Sequence, residues 1–273
     1  MKQEYDKFHC VINTQLFFYI SGMNKPIPDL GEDFLKNGQN VYLRHLSVDS
    51  VIFGFHENEL KVLLLRWKGG PWSLPGGFVK KEESVNDSAS RILQERTSLN
   101  NIFLQQFHVF GDPDREKNKN EVHSDLKGSW MADRFVTVGY YALVEYSKVK
   151  PKPDLFSDEC VWWDIHSIPS LLYDHNEILE KALEVLRLSL NDHPIGYNLL
   201  PEKFTMPELQ RLYETILDKE IDRRNFQKKL LSLDILVRLE ERKTGGAHKA
   251  PYLYRFDKRK YDRALREGLR GGF

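Results

Sequence analysis

Residues 74–99 read LPGGFVKKEESVNDSASRILQERTSL. The stretch predicts a strand, a glycine turn, a loop and a helix, in that order. Ser84 and Asp87 form a Ser-x-x-Asp cap, and Val85, Ala89, Ile92 and Leu93 follow at the i, i+4, i+7, i+8 spacing of one half-buried helical face. From Val41 to about Tyr146, β-rich runs alternate with polar turns: VYLRHL, VDSVIFGF, LKVLLLRW and RFVTVGYYALVEY. A further run, ECVWWDI, precedes the helical pattern NEILEKALEVLRLSL. A mixed sheet with helices packed on it is expected.

Composition sets the outer limits. The chain has 273 residues, 41% of them apolar and 12% aromatic, enough for one large globular domain or two ordinary ones. Its two cysteines, Cys10 and Cys160, are too few and too distant for a disulfide framework or a zinc site. A reducing compartment, the cytoplasm, is therefore expected. The apolar run Phe8–Met23 is interrupted by His9, Asn13 and Gln15 and is too short to span a bilayer, so no membrane segment is expected. Residues 24–40 resemble a polar connector with little periodicity.

The zero net charge hides an asymmetry. Residues 201–273 hold 18 basic and 12 acidic side chains, a net +6, which leaves −6 on residues 1–200. Between the halves, HPIGYNLLPEKF has the proline and glycine of a linker, placing a boundary near residues 193–203. The expected organisation is an N-terminal extension (1–40), a sheet domain (41–195) and a C-terminal domain (196–273). In the last, Thr205 and Glu208 form a capping box that opens a helix with Leu209, Leu212, Ile216 and Leu217 inward. After the turn DKEI, Asp222 caps a second helix that buries Phe226, Leu230 and Leu233. Two short helices joined so tightly read as a helix-turn-helix, and DILVRLEER and APYLYRFD read as the strands of a wing.

The second of these helices carries Arg223, Arg224, Asn225, Gln227 and Lys228 in its first turns, and Lys249 stands at the wing tip beside His248. A recognition helix needs long donors near its N-terminus, because Arg, Asn and Gln reach phosphates and make paired hydrogen bonds to base edges. A polar helix face with i, i+4 pairs would look similar. Arg223 to Arg270 adds 15 basic against 6 acidic residues, which favours double-stranded DNA as the partner. A ligand-binding adaptor whose basic tail meets protein or RNA is the rival.

The quoted stretch resembles the Nudix box, whose pattern is G-x5-E-x7-R-E-U-x-E-E-x-G-U with U aliphatic. Counting from Gly77, Glu83 stands on the first glutamate, Arg91 on the arginine, and Leu93 and Leu99 on aliphatic positions. Ile92 replaces the glutamate after the arginine, Arg96 the last glutamate of the pair after Glu95, and Ser98 the glycine. Family members use these carboxylates to hold Mg²⁺ on a diphosphate. At about 5 Å and an effective dielectric near 20, the charge of Arg96 would repel Mg²⁺ by roughly 6 kcal/mol. No catalytic residue, metal or cofactor is expected, and Glu83 and Arg91 keep a structural pairing. The alternative is a Mg²⁺-dependent Nudix pyrophosphatase acting on ADP-ribose or a related nucleoside diphosphate derivative through other carboxylates, such as Asp112, Asp114, Glu116 and Glu121.

An eroded box followed by LLPEKFTMPELQRLYE and DRRNFQKKLL is similar to the Nudix-related transcriptional regulators, the NrtR-like family, over about residues 41–257. The resemblance implies an α+β architecture: a Nudix-fold mixed sheet between helices, an α/β/α sandwich, plus a C-terminal winged helix-turn-helix. It also implies a repressor that senses ADP-ribose or a pentose-type sugar in the old substrate pocket, and a homodimer on a palindromic operator. The expected pocket residues are Arg66, Gly77, Phe78, Glu95, Asp112, Arg115 and Arg134.

Overall fold

The computed structural model describes residues 32–100, 102–116, 128–243 and 250–267. Two of the β-rich runs merge into β1 (Tyr42–His56), which turns through Glu57 and Asn58, both at positive φ, into β2 (Glu59–Trp67). That paired left-handed geometry matches the twist of a hairpin. β1 also pairs in parallel with β6 (Val136–Val144), from Leu46 opposite Val136 to Gly54 opposite Val144. β1 from Val48 to Gly54 and nearly all of β6 are covered on both faces, which explains their nearly unbroken apolar runs. β3 (Trp72–Ser73) and β7 (Ser157–Asp164) pair with β2, β4 (Gly76–Lys80) with β1, and β5 (Phe103–Phe110) with β6.

Alternation along the strands sorts side chains between two layers. Val48, Val79, Val138 and Tyr140 meet Ala89 and Ile92 of α2 (Val85–Thr97) on one face. Val51, Phe53, Tyr141 and Leu143 meet Ile178, Ala182, Leu186 and Leu190 of α3 (His175–Asp192) on the other. The α/β/α sandwich follows.

The C-terminal part contains β8 (Phe204–Thr205), α4 (Met206–Leu217), α5 (Arg223–Ser232), β9 (Leu236–Arg242) and β10 (Tyr252–Phe256), with sheet order β8-β10-β9. The expected capping box is formed: the Thr205 hydroxyl accepts from the Glu208 amide and the Glu208 carboxylate accepts from the Thr205 amide. Asp222 caps α5 by accepting from the Asn225 amide at 2.8 Å.

Three readings differ from the structure, and two elements, β5 and the last helix, had no reading. The end of the supposed polar connector is a helix, α1 (Glu32–Val41), because Phe34 and Leu35 find an apolar partner in the Trp130, Met131 and Phe135 cluster. Gly76 and Gly77 begin β4 instead of forming a turn. A Cβ on Gly76 would lie 2.2 Å from Asp49 Oδ1, and one on Gly77 2.9 Å from Ile92 Cδ1, so close approach is what requires glycine. The stretch around 193–203 is a packed connector with Ile195, Leu199 and Leu200 buried. The basic C-terminal run forms α6 (Lys258–Glu267), held by buried Tyr261, whose hydroxyl donates to Pro194 O at 2.7 Å. β5 was not foreseen at all. Residues 1–31, 117–127 and the wing tip 244–249, with Lys249 and His248, lie outside the described residues.

One apolar core runs through both parts: Val51, Phe53 and Leu186 share it with Leu209, Leu212, Tyr213, Phe226 and Phe256. Replacing fully buried Leu209 of α4 by Ala should cost about 2–5 kcal/mol. All five tryptophans (67, 72, 130, 162 and 163) precede the connector. Tryptophan fluorescence of Leu209→Ala should therefore melt at a lower temperature together with the far-UV signal. An unshifted fluorescence transition would show two independent cores.

Candidate functional site

The Nudix-like segment is built as a staple. Arg91 donates from Nε to Glu83 Oε2 at 3.0 Å and from Nη2 to Glu83 Oε1 at 2.7 Å, and also to Phe78 O at 2.9 Å. Glu83 accepts a further bond from the Lys80 amide at 2.8 Å. The Arg91 hydrogen bonds hold the Glu83 carboxyl down at about 2, and the same pairing raises the Arg91 pKa. Ile92 is buried against Gly77, where a carboxylate would have no solvent. Arg96 turns away to Asp154 at 3.4 Å, with Glu95 at 3.8 Å. It thereby ties the 150–156 segment to α2, helped by Lys152 N donating to Arg96 O at 3.0 Å.

An open cleft lies at the other end of β4. It holds about 740 Å³ of space, open solvent at its mouth included. Trp67, Phe78, Phe135, Phe156 and Tyr173 supply aromatic walls, and Ser47, Asp49, Arg115, Glu116, Asp154 and His175 supply polar groups. Arg115 is the centre of the polar set. Its Nε and Nη2 donate to the two oxygens of Asp174 at 2.8 and 2.9 Å, and Nη1 donates to Phe135 O at 3.0 Å. Asp49 lies 3.7 Å and Glu116 3.6 Å away. Burial works against the guanidinium charge, but the Asp174 bonds and the three carboxylates outweigh it, and its pKa is raised. Burial lowers the pKa of His175 despite the nearby Asp49. Its Nδ1 accepts from the Leu74 amide at 3.0 Å, as a neutral ring with its proton on Nε2 would.

Of the residues expected in a pocket, Gly77, Phe78 and Arg115 line this cleft. Arg66 instead pairs with Glu159 at 2.6 Å on the outer sheet, Glu95 sits on the exposed side of α2, and Asp112 is exposed. Arg134 donates to Gly111 O at 3.2 Å outside the lining. Trp130 packs behind the aromatic wall, its Nε1 donating to Phe34 O at 3.0 Å. Sequence reasoning missed Asp49, Tyr173, Asp174 and His175. For the last three the one signal was the YDHN run at the start of α3, as a helix-cap pattern; Asp49 had none.

The second site is α5. Arg223, Arg224, Asn225 and Lys228 are exposed and Gln227 is half-buried, while Phe226 and Leu230 are buried beneath them. Tyr213 of α4 meets Phe226 edge-on at 5.2 Å, and Gln210 Nε2 donates to Ile221 O at 2.9 Å, fixing the turn between the helices. Residues 43–186 match the model of the NUDIX domain and residues 196–256 that of the NrtR DNA-binding winged helix domain.

The chain belongs to the NUDIX family. Its Nudix domain is followed by a winged helix of the NrtR type. The chain is 29% identical over 225 residues to an ADPR responsive transcriptional repressor, NtrR, of Acinetobacter baylyi, covering 80% of this chain and 84% of that protein. It is 26% identical over 143 residues to an ADP-ribose pyrophosphatase of Methanocaldococcus jannaschii, covering 51% and 75% respectively. In shape it matches Shewanella oneidensis NrtR complexed with a 27mer DNA, with a TM-score of 0.66 and 27% identity over 80% of this chain and 96% of that one. The fold class read from sequence therefore holds for both domains.

The Nudix staple has a pH signature. Because the folded pKa of Glu83 is depressed, its contribution to stability is complete above the unfolded value near 4.5 and is lost as pH falls toward 2. Glu83→Gln should lower stability at pH 7 by about 1.5–3 kcal/mol and flatten the pH 2–4.5 limb of a stability profile. A variant with an unchanged acid limb would show that the pair does not hold the loop.

Proposed function

We propose that this protein is an effector-responsive, DNA-binding transcriptional repressor of the cytoplasm. Its Nudix cleft serves as the sensor and α5 as the operator-reading helix. The observation that carries this reading is the presence in one chain of a Nudix domain and an NrtR-type winged helix, arranged like a relative bound to DNA. Arg223, Arg224, Asn225, Gln227 and Lys228, with Lys249 on the wing, are the proposed DNA contacts. A homodimer would place two such helices on a palindromic operator, as two-fold symmetry requires.

For the effector, the relatives' names point to ADP-ribose. The charge of the cleft favours the other expected class, an uncharged pentose-type sugar. Among the described residues, Asp49, Glu116 and Asp154 line it against one guanidinium, Arg115, three of whose five N–H groups are bonded to Asp174 and Phe135. Among the described residues a diphosphate would meet an excess of carboxylates, whereas sugar hydroxyls donate to carboxylates and their apolar faces stack on aromatic rings. Nudix-type hydrolysis is lost in this reading, since Ile92 is buried and Arg96 is committed to Asp154.

Selection of operator DNA from random duplexes, repeated with ADP-ribose, L-arabinose or D-xylose, tests the reading. Enrichment of a palindrome whose affinity a pentose changes is expected, with no Mg²⁺-dependent turnover of ADP-ribose. A response to ADP-ribose alone would reverse the effector assignment, and failure to enrich any motif would remove the repressor. Within an enriched site, Arg224→Ala should weaken binding by about 1–3 kcal/mol, and if it contacts phosphate it should reduce the salt dependence by about one ion. Undiminished affinity would exclude α5 as the reading helix.

A further inference from the structure

The cleft and α5 are joined by α3, a rigid helix fixed at both ends by polar contacts. Its 18 residues span about 27 Å. At the cleft end, Tyr173 lines the pocket with a φ of 54°, a left-handed conformation that is unfavourable for a bulky side chain and that marks stored strain. The next residue, Asp174, is the N-cap of α3, yet its side chain caps nothing. Both its oxygens go to Arg115. The helix amides and Arg115 therefore compete for one carboxylate, and the winner depends on what else Arg115 binds.

At the far end, Arg187 Nε donates to Ile216 O at 2.8 Å, in the last turn of α4. The backbone leaving α3 then binds the reader domain directly: the Tyr213 hydroxyl lies 3.3 Å from Ile195 N, and Tyr261 donates to Pro194 O. α4 carries α5 through Tyr213 and Phe226. Between the ends, Ile178, Ala182, Leu186 and Leu190 are fully buried, so α3 moves as one body or not at all.

We infer that α3 is the element that couples the cleft to the DNA-reading helix. Asp174 switches between Arg115 and the helix N-terminus at one end, and Arg187 passes the resulting shift to α4 at the other. This rests on the effector-responsive reading above and names its route. A ligand that accepts hydrogen bonds from Arg115 and donates to Asp49 or Glu116 competes with Asp174 for the guanidinium, releases that carboxylate toward the α3 amides, and so favours one placement of α3 over another. Arg187 is a positioning residue that touches neither ligand nor DNA.

The test is the variant Arg187→Met, which keeps the side-chain stem and removes the donor. Three quantities are read on full-length protein: sugar affinity without DNA, operator affinity without sugar, and operator affinity with saturating sugar. The first two should stay within about twofold of wild type, while the ratio of the last two, typically 5–150-fold in coupled systems, should fall at least fivefold. Arg187→Lys should restore part of it. An unchanged ratio in Arg187→Met would overturn the inference.

Hydrogen exchange separates this from failure of the repressor reading, because it needs neither ligand nor operator. His175→Gln, at the cleft end of α3, should speed exchange of the α4 amides near Leu212–Leu217 in the wild-type background and much less in Arg187→Met. Exchange changes confined to residues near 172–180 in both backgrounds would sink the coupling even if DNA binding were confirmed. Coupled exchange without any operator binding would sink the repressor reading and leave the lever in place.

Discussion

The buried pairing of Arg115 with Asp174 is the constraint on which the arrangement of the molecule turns. The Arg115 side chain is only 3% exposed, and an unpaired guanidinium at that depth would cost several kcal/mol. Its carboxylate partner comes from 59 residues further along the chain, at the start of α3. The pair therefore fixes where α3 begins against the sheet. With His175 held by the Leu74 amide, it also sets the floor of the cleft. Everything C-terminal to α3 inherits that placement through the shared core.

The eroded box separates two roles that a full Nudix box combines. One is mechanical: Glu83 and Arg91 pin the loop after β4 to α2, and they do this with hydrogen bonds that need no metal. The other is chemical, and here its side chains have been redirected. Ile92 fills the space above Gly77, and Arg96 binds Asp154, so a helix that could have faced a diphosphate instead braces the cleft wall. Among the described residues, no cluster of three or more His, Cys, Asp or Glu side chains has the geometry of a metal site.

The aromatic wall shows how added elements shape the sensor. Phe34 of α1 and Trp130 pack on Phe78 and Phe135, which line the cleft from the other side. Gly38 is required in α1 because a Cβ there would lie 2.6 Å from the Trp130 indole nitrogen. The helix lies N-terminal to the family match at residues 43–186 and contributes to the site only from behind.

Local chemistry made much of this legible in the sequence. Caps at Ser84, Thr205 and Asp222, the periodicity of α2 and α4, the box register and the charged first turns of α5 all depend on residues within a few positions of one another. Such signals determined the order of the Nudix and winged-helix segments and the exposed basic face of α5. The cleft was another matter. Asp49, Arg115, Asp174 and His175 come from three distant segments, and none carries a local mark of partnership. Gly77 and Phe78 were found through the box, but Arg66, Glu95, Asp112 and Arg134 look equally available in one dimension. Only the folding of β1 beside β4 and of α3 across the sheet decides which charges meet, because a buried charge selects its partner by proximity in space and not by spacing along the chain.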